Sequence, residues 1–144
     1  MEIKIKKLSK EAILPKVATE FSAGADLCAC SETDIEIRAG ETVLIHTGLA
    51  MEIPVGYAGM IFARSGLATK RGLAPANKVG VVDADYRGEV MVALHNHSSE
   101  TQIISHGERI AQLVIMPFLA ASFVEAESLE DTVRGAGGFG STGK

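Results

Sequence analysis

Two aspartates follow a short apolar run in the segment Asn77–Gly88. Asp83 comes directly after two valines, where a strand would leave the core, and Asp85 is two residues further on. A carboxylate in that place can act as a general base on water, and two close carboxylates can split their pKa values. The same pair suits ordinary turn chemistry, in which an aspartate caps the turn. The segment therefore predicts a hairpin and leaves the role of its carboxylates open.

A second segment, residues 64–72, places an arginine beside a helix start. Ser65 is a favourable N-cap residue, and Gly72 can end a single helical turn. Free backbone N–H groups at such a start, next to Arg64, would suit an anion. An ordinary capped turn that joins two strands explains the same residues.

Polar side chains also interrupt two apolar segments. Asp26 follows a glycine just before a strand, and Arg109 and Gln112 stand where a turn enters the apolar strand Ala111–Met116. Side chains three residues apart face opposite sides of a regular strand, so a bulge is required if Arg109 and Gln112 meet one ligand. Alternatively, Arg109 forms a structural ion pair and Gln112 is a hydrogen-bonded strand amide.

The C-terminal residues 134–144 are rich in glycine and cannot build a core. Arg134 can pair with phosphate and Phe139 can lie on a base, as a mobile flap over a nucleotide would require. A frayed terminus is the competing interpretation. The run from Gly138 to Lys144 resembles the opening of a P-loop, but no helix and no hydroxyl for magnesium follow it, so we reject a P-loop.

The chain's size and charge narrow the classes of function. Its 144 residues make one domain with a mainly aliphatic core, and the net charge of −4 with scattered cations argues against nucleic acid as a partner. No segment resembles a membrane span or a signal peptide. Free Cys28 and Cys30 would fit the cytoplasm, as buried small residues rather than a redox or metal pair.

Short alternating runs separated by Gly and Pro turns predict an all-β barrel or sandwich. His95 and His97 have metal-ligand side chains, but without a third ligand they are read as strand surface. The predicted strands cover residues 3–6, 34–38, 42–46, 50–53, 57–62, 89–94, 101–104, 111–116 and 123–126.

Taken in order, five segments resemble the motifs of the trimeric dUTPase family. They are Ala23–Leu27, Arg64–Ala68, Gly80–Gly88, Gly107–Leu113 and Arg134–Thr142. Ala63 departs from the pattern, since many members have Gly there. The resemblance implies a distorted, jelly-roll-like β-barrel with one short helix over residues 1–133, and a tail, residues 134–144, that closes over the site.

The resemblance also implies hydrolysis of dUTP to dUMP and pyrophosphate, which keeps uracil out of DNA and supplies dUMP. Asp83 would be the general base, and Asp26 would support Mg²⁺ through water. Active sites would be shared within a homotrimer. The implied substrate-binding residues are Arg64, Ser65, Gly66, Asn77, Gly80, Val81, Tyr86, Gln112, Arg134, Phe139, Gly140, Ser141 and Thr142.

Two other functions remain open at this point. One is a dCTP deaminase-like enzyme of the same fold, which would release ammonia from a cytosine substrate. The other is a non-catalytic nucleotide-binding regulator, which would bind dUTP without turnover. The joint presence of base, phosphate-binding and flap residues favours the dUTPase.

Overall fold

A computed structural model describes residues 1–138, which form twelve strands and one helix. The elements in chain order are β1 (Lys4–Lys7), β2 (Lys16–Val17), β3 (Ala25–Cys28), β4 (Ile35–Ile37), β5 (Thr42–His46), β6 (Leu49–Glu52), β7 (Tyr57–Phe62), α1 (Ser65–Arg71), β8 (Leu73–Pro75), β9 (Gly80–Val82), β10 (Met91–Asn96), β11 (Gln102–Ile104) and β12 (Arg109–Pro117).

The strands pair antiparallel in four small sheets, which is the predicted all-β architecture. The largest sheet has the order β2-β3-β12-β7-β9, and the others are β5-β10-β8, β1-β6 and β11-β4. Most of these neighbours are distant in sequence, so the chain crosses between sheets and wraps them around one core, as in a barrel or jelly roll.

The core is aliphatic, as the composition predicts. Its completely buried members come from strands of all four sheets and include Leu27, Ile37, Ile45, Leu49 and Leu94. Burial of each such side chain contributes roughly 1.5–3 kcal/mol. The stability of the barrel therefore rests on aliphatic packing, and the polar residues of interest lie at strand ends and turns outside it.

Helix α1 confirms the predicted helical turn, but its N-cap residue lies one position earlier than predicted. Arg64 is the N-cap residue, with an extended backbone and no side-chain cap hydrogen bond, whereas Ser65 is the first helical residue. Gly72 ends the helix with a φ of 66°, and its N–H donates to the Leu67 and Ala68 carbonyls. The expected Ser65 cap is therefore wrong, while the glycine stop is confirmed.

After β12 the chain runs without strand or helix to the end of the described residues. The predicted strand at residues 123–126 is wrong, because within residues 1–138 no partner strand pairs with it. Its apolar side chains are instead open, with Phe123 97% exposed. Within the same residues, no helix is long and apolar enough to cross a membrane.

Candidate active site

The first group of site residues lies across three neighbouring strands of the largest sheet. Gln112 of β12 is in register with Asp26 of β3 on one side and with Phe62 of β7 on the other. The β3–β12 register shifts between Arg109 and Ala111. This is the bulge that the sequence requires, and it puts Arg109 and Gln112 on one face of the sheet.

Hydrogen bonds join these side chains into what we call the anion cluster: Asp26, Arg64, Arg109 and Gln112. Arg64 Nε donates to Asp26 Oδ1 at 2.7 Å, and Arg109 Nη1 donates to Asp26 Oδ2 at 3.3 Å. Gln112 Nε2 donates to the Ala63 carbonyl at 2.8 Å, which fixes the backbone just before Arg64. The sequence left an ion pair for Arg109 open, and the structure provides it.

Gly24 makes room for this arrangement. A Cβ at position 24 would lie 2.4 Å from Gln112 Oε1 and 3.3 Å from its Cβ. Any side chain there would push the Gln112 amide away from the Ala63 carbonyl. Gly24 is therefore a structural requirement of the anion cluster that the sequence analysis did not identify.

The charges of the anion cluster suit a polyanion such as a triphosphate. Two arginines and one carboxylate leave a net positive charge, and the hydrogen bonds among residues 1–138 use only Nε of Arg64. Its Nη groups remain to bind phosphate. Burial raises the pKa of the adjacent Cys28 thiol, as does the Asp26 charge, while Arg109 and Arg64 oppose the rise.

The surroundings of Asp26 suit a magnesium ion only if a water molecule lies between the ion and the carboxylate. Each of its oxygens accepts a hydrogen bond from an arginine, and its side chain is only 18% exposed. Within residues 1–138, no group of three His, Cys, Asp or Glu side chains could hold a metal. A Mg²⁺ ion at this site would thus take its ligands from substrate phosphates and water, with Asp26 accepting a hydrogen bond from such a water.

The second group of site residues forms a separate cleft of about 260 Å³, the hairpin cleft. Five predicted residues line it together: Asn77, Gly80, Val81, Asp83 and Tyr86. The volume is below the roughly 300–1,000 Å³ of complete small-molecule sites. The cleft can therefore take part of a ligand, such as a base and its sugar, but not a whole nucleotide triphosphate.

A tight turn shapes one wall of the hairpin cleft. Lys78 is the single non-glycine residue with positive φ among residues 1–138, at 65°, and the Val79 N–H donates to the Asn77 carbonyl at 2.7 Å. A Cβ at position 80 would lie 3.2 Å from Ile61 Cβ, so Gly80 lets β9 lie close against β7. The positive φ of Lys78 costs about 1–3 kcal/mol, and such backbone conformations are often found at ligand sites.

The other wall carries the aspartate and the tyrosine. The Tyr86 N–H donates to the Asp83 carbonyl at 3.2 Å, which closes a turn that leaves Asp83 exposed at the cleft. Arg87 Nη1 donates to the Ala84 and Tyr86 carbonyls and braces the same turn. Asp83 is thus displayed at the end of β9, as the sequence pattern predicts. The predicted hairpin is wrong, because among residues 1–138 β9 pairs with β7, while β8 and β10 pair with each other in a different sheet.

Within one chain, the anion cluster and the Asp83 side of the hairpin cleft lie toward opposite ends of β7. Val82 of β9 is in register with Gly59, so Asp83 is level with Ala58, whereas Arg64 follows the far end of the strand. Six residues of extended chain span on the order of 20 Å. The structure therefore assembles two groups of predicted residues but does not bring Asp83 to Arg64 in one chain.

Another cleft, of about 710 Å³, lies elsewhere and contains none of the predicted site residues. His46, His106, Cys30 and Ser31 are among its lining residues, and Glu89 lines both this cleft and the hairpin cleft. His95 and His97 are outside all of these sites, with their rings in edge contact at 4.3 Å. The pKa of His97 is lowered by desolvation, His95 and Lys78.

The C-terminal predictions are described only in part. Arg134 is exposed, and its Nε donates to the Gly137 carbonyl at 2.8 Å. Phe139, Gly140, Ser141 and Thr142 lie outside the described residues. Ser65 and Gly66 open α1 directly after Arg64, and a Cβ at position 66 would contact nothing within 4 Å.

Known proteins share both the sequence and the fold. The sequence model of the dUTPase family matches residues 10–143. A deoxyuridine 5'-triphosphate nucleotidohydrolase of Nautilia profundicola is 53% identical over 144 residues and covers all of both chains. A variant dUTPase of Staphylococcus bacteriophage 80alpha with dUpNHpp has a TM-score of 0.89 at 28% identity and covers 99% of each chain.

A third relative bears on the metal. A variant dUTPase from phage phi11 of S. aureus has a TM-score of 0.82 at 24% identity, with 91% of this chain and all of that chain covered. That structure reveals the coordination of a structural Mg(II) ion. At this identity the likeness concerns the fold.

Proposed function

The chain belongs to the dUTPase family, and from that premise we propose how its residues hydrolyse dUTP to dUMP and pyrophosphate. The observation that carries the proposal is a pair of separate groups, the anion cluster beyond the Phe62 end of β7 and the hairpin cleft, whose Asp83 lies toward the Tyr57 end. One group has the charge and donors for a triphosphate, and the other has the shape for a base and sugar with a carboxylate at its edge.

Asp83 is the proposed general base. Its carboxylate is exposed at the hairpin cleft, where it can take a proton from a water that attacks the α-phosphorus. A positioned base contributes about 10²–10⁴-fold to the rate. The remaining acceleration comes from holding the phosphates in line and balancing their charge, which is the role of Arg64, Ser65, Gly66 and Gln112.

Uracil recognition belongs to the hairpin cleft. Asn77 and the backbone from Gly80 to Val81 would read the edge of the base, and a tight fit would exclude the methyl group of thymine. Cytosine would leave buried donors and acceptors unpaired. The Tyr86 ring would lie beneath the deoxyribose and leave no space for a 2'-hydroxyl.

Magnesium is the proposed cofactor. When bound to the phosphates it would neutralise charge on the substrate, and the oxygens of Asp26, already held by two arginines, would orient its water shell. The tail would complete the site, with Arg134, Ser141 and Thr142 on the γ-phosphate. Phe139 would stack on uracil, and the backbone of Gly140 would lie close to the substrate.

A homotrimer with shared sites is proposed because one chain holds Asp83 far from Arg64. The open apolar side chains of residues 118–133 support it: Leu119, Phe123, Val124, Leu129 and Val133 are each at least 85% exposed. Such an arm gains stability by packing on another copy. Mass photometry at working concentration should show trimers, and a monomeric active enzyme would refute shared sites.

The two free thiols support our assignment to the cytoplasm.

The function is tested by incubating the purified protein with Mg²⁺ and, separately, dUTP, dCTP, dTTP and UTP. We expect dUTP alone to disappear, with dUMP and pyrophosphate as products and without dUDP. Conversion of dCTP with ammonia release would instead indicate a deaminase. Tight dUTP binding without turnover would indicate a regulator and remove the role of Asp83.

A further inference from the structure

The ring of Tyr86 is held outside the core by its own loop. Its side chain is partly open to solvent, with 43% of the residue exposed, and its hydroxyl donates to the Glu89 carbonyl at 3.0 Å. A Cβ at position 88 would lie 2.4 Å from the Tyr86 hydroxyl oxygen and 2.6 Å from Cζ. The ring therefore lies over the bare backbone of Gly88, and the carbonyl of Glu89 fixes its outer end.

The Glu89 carboxylate is in turn anchored to the segment that joins β5 and β6. His46 Nδ1 donates to Glu89 Oε2 at 2.9 Å, and the Gly48 N–H donates to Glu89 Oε1 at 2.7 Å. The Glu89 side chain is 22% exposed, so these charge-assisted bonds are partly shielded from water. The partners lie 43 and 41 residues away in sequence, which ties the hairpin to a distant part of the barrel.

The residue after Glu89 continues the attachment into the core. The Val90 N–H donates to the Leu49 carbonyl at 2.8 Å, and the Val90 carbonyl accepts from the buried Thr47 hydroxyl. Val90 and Thr47 are buried. Glu89 thus lies between the exposed turn and the buried residues Thr47 and Val90. Through its carbonyl, it fixes the Tyr86 hydroxyl relative to those buried residues.

From these contacts we infer that Glu89 is a positioning residue for sugar selection: it holds the Tyr86 ring at the place where a 2'-hydroxyl would have to fit. The inference rests on the proposed role of Tyr86 under the deoxyribose. This hydrogen bond and the Gly88 surface hold the ring, which is partly open to solvent. When the carboxylate anchors are lost, the Val90 N–H bond still holds the Glu89–Val90 peptide, so the peptide tilts about that bond, and the Tyr86 ring tilts with it and opens space for a ribose.

The test compares kcat/KM for dUTP with kcat/KM for UTP in variants of the full-length protein. Glu89→Ala should lower the dUTP-to-UTP ratio by on the order of tenfold, since displacement of a positioned group by about 1 Å can change rates by up to about 10²-fold. Glu89→Gln keeps an oxygen that can accept from the Gly48 N–H, and it should keep most of the ratio. Glu52→Ala, which removes an exposed ion pair with Lys4, is the matched control and should leave the ratio unchanged.

His46→Ala serves as the second variant if Glu89→Ala does not fold. It removes one of the two anchors and should move the ratio in the same direction by a smaller factor. An equal loss of both kcat/KM values in Glu89→Ala or His46→Ala, with an unchanged ratio, would overturn the inference and leave Glu89 a structural residue.

Tyr86→Ala separates this inference from the proposed function. A fall of the ratio in Tyr86→Ala but not in the Glu89 and His46 variants would refute positioning by Glu89 while the role of Tyr86 stands. An unchanged ratio in Tyr86→Ala would refute the role of Tyr86 itself. A fall in Tyr86→Ala and Glu89→Ala, with retention in Glu89→Gln, is the expected result.

Discussion

The anion cluster and the Asp83 side of the hairpin cleft lie toward the two ends of β7, and the cluster and the cleft are built by different means. Side chains from β3, β12 and the N-cap of α1, joined by ion pairs around Asp26, form the anion cluster. One continuous segment, residues 77–90, supplies most of the lining of the cleft, including the glycine backbone at position 80 and the Tyr86 ring. The first is organised to fix charge and the second to fix shape, which matches the two ends of a nucleoside triphosphate.

The pairing of β7 with its two neighbours explains why these regions stay apart. β7 pairs with both β12 and β9, so the same rigid strand supports both regions and also holds them apart. Neither region can change position to meet the other without breaking this sheet. The proposed site therefore combines regions from different copies, and each prediction below tests one part of that arrangement.

The largest effect is expected from loss of the base in the hairpin cleft. Asp83→Asn should lower kcat by about 10²–10⁴-fold, because an amide of the same size cannot accept the proton from water. The affinity for a non-hydrolysable dUTP analogue, measured by calorimetry, should stay within a few-fold. Asp85→Asn on the same turn is the control and should remain active; the opposite pattern would move the base to Asp85.

A mixture of damaged chains tests whether the two regions work across copies. Arg64→Ala and Asp83→Asn should each be nearly inactive alone. Trimers assembled from equal amounts of both should regain about a quarter of the sites, since each site draws its cluster and its hairpin from different chains. No gain in verified mixed trimers would mean that both regions serve one site in one chain.

A smaller effect should separate phosphate binding from base binding. Gly24→Ala would displace the Gln112 amide and break its bond to Ala63, with a loss of roughly 1 kcal/mol of stability and about a fivefold rise in KM for dUTP. The affinity for deoxyuridine, which has no phosphates, should not change. Gly66→Ala, where a Cβ contacts nothing, is the stability control; an equal loss of deoxyuridine affinity would show that the regions are not independent.

The smallest effect reports on charge in the anion cluster. Burial and the Asp26 carboxylate raise the pKa of Cys28, so near pH 8 it holds less thiolate than an ordinary thiol and should react slowly with iodoacetamide. Asp26→Asn removes one cause of the rise and leaves the two arginines, so labelling should become a few-fold faster. Mass spectrometry of the labelled peptide measures both rates, and slower labelling in Asp26→Asn would contradict this charge balance.

The sequence predicted a strand correctly wherever alternation and flanking turns within that segment determine the strand. Thr42–His46 and Tyr57–Phe62 are strands with the predicted bounds, since alternation and flanking turns are written into those residues. β2 has only two residues and β8 contains Pro75, so neither carries a readable period. Residues 123–126 have a strand-like sequence, but a strand also needs a neighbour.

The candidate site divides in the same way. The sequence predicted a bulge at Arg109 on the condition that Arg109 and Gln112 meet one ligand, and the register shows the bulge. The ion pair of Arg109 with Asp26 and the attachment of Glu89 to His46 join residues 83 and 43 positions apart. The sequence contains no local signal for such pairs, and the same holds for the space that Gly24 and Gly88 leave open.

The bulge on β12 also has a consequence for insertions and deletions. It lets two successive residues, Ile110 and Ala111, both be completely buried while Arg109 and Gln112 share the opposite face. A single-codon deletion at Ala111 would restore a regular strand in which Arg109 and Gln112, now two apart, still share a face. Such a deletion would cost core packing rather than site geometry. A one-residue deletion here should therefore lower the stability of the barrel while both site side chains keep their direction.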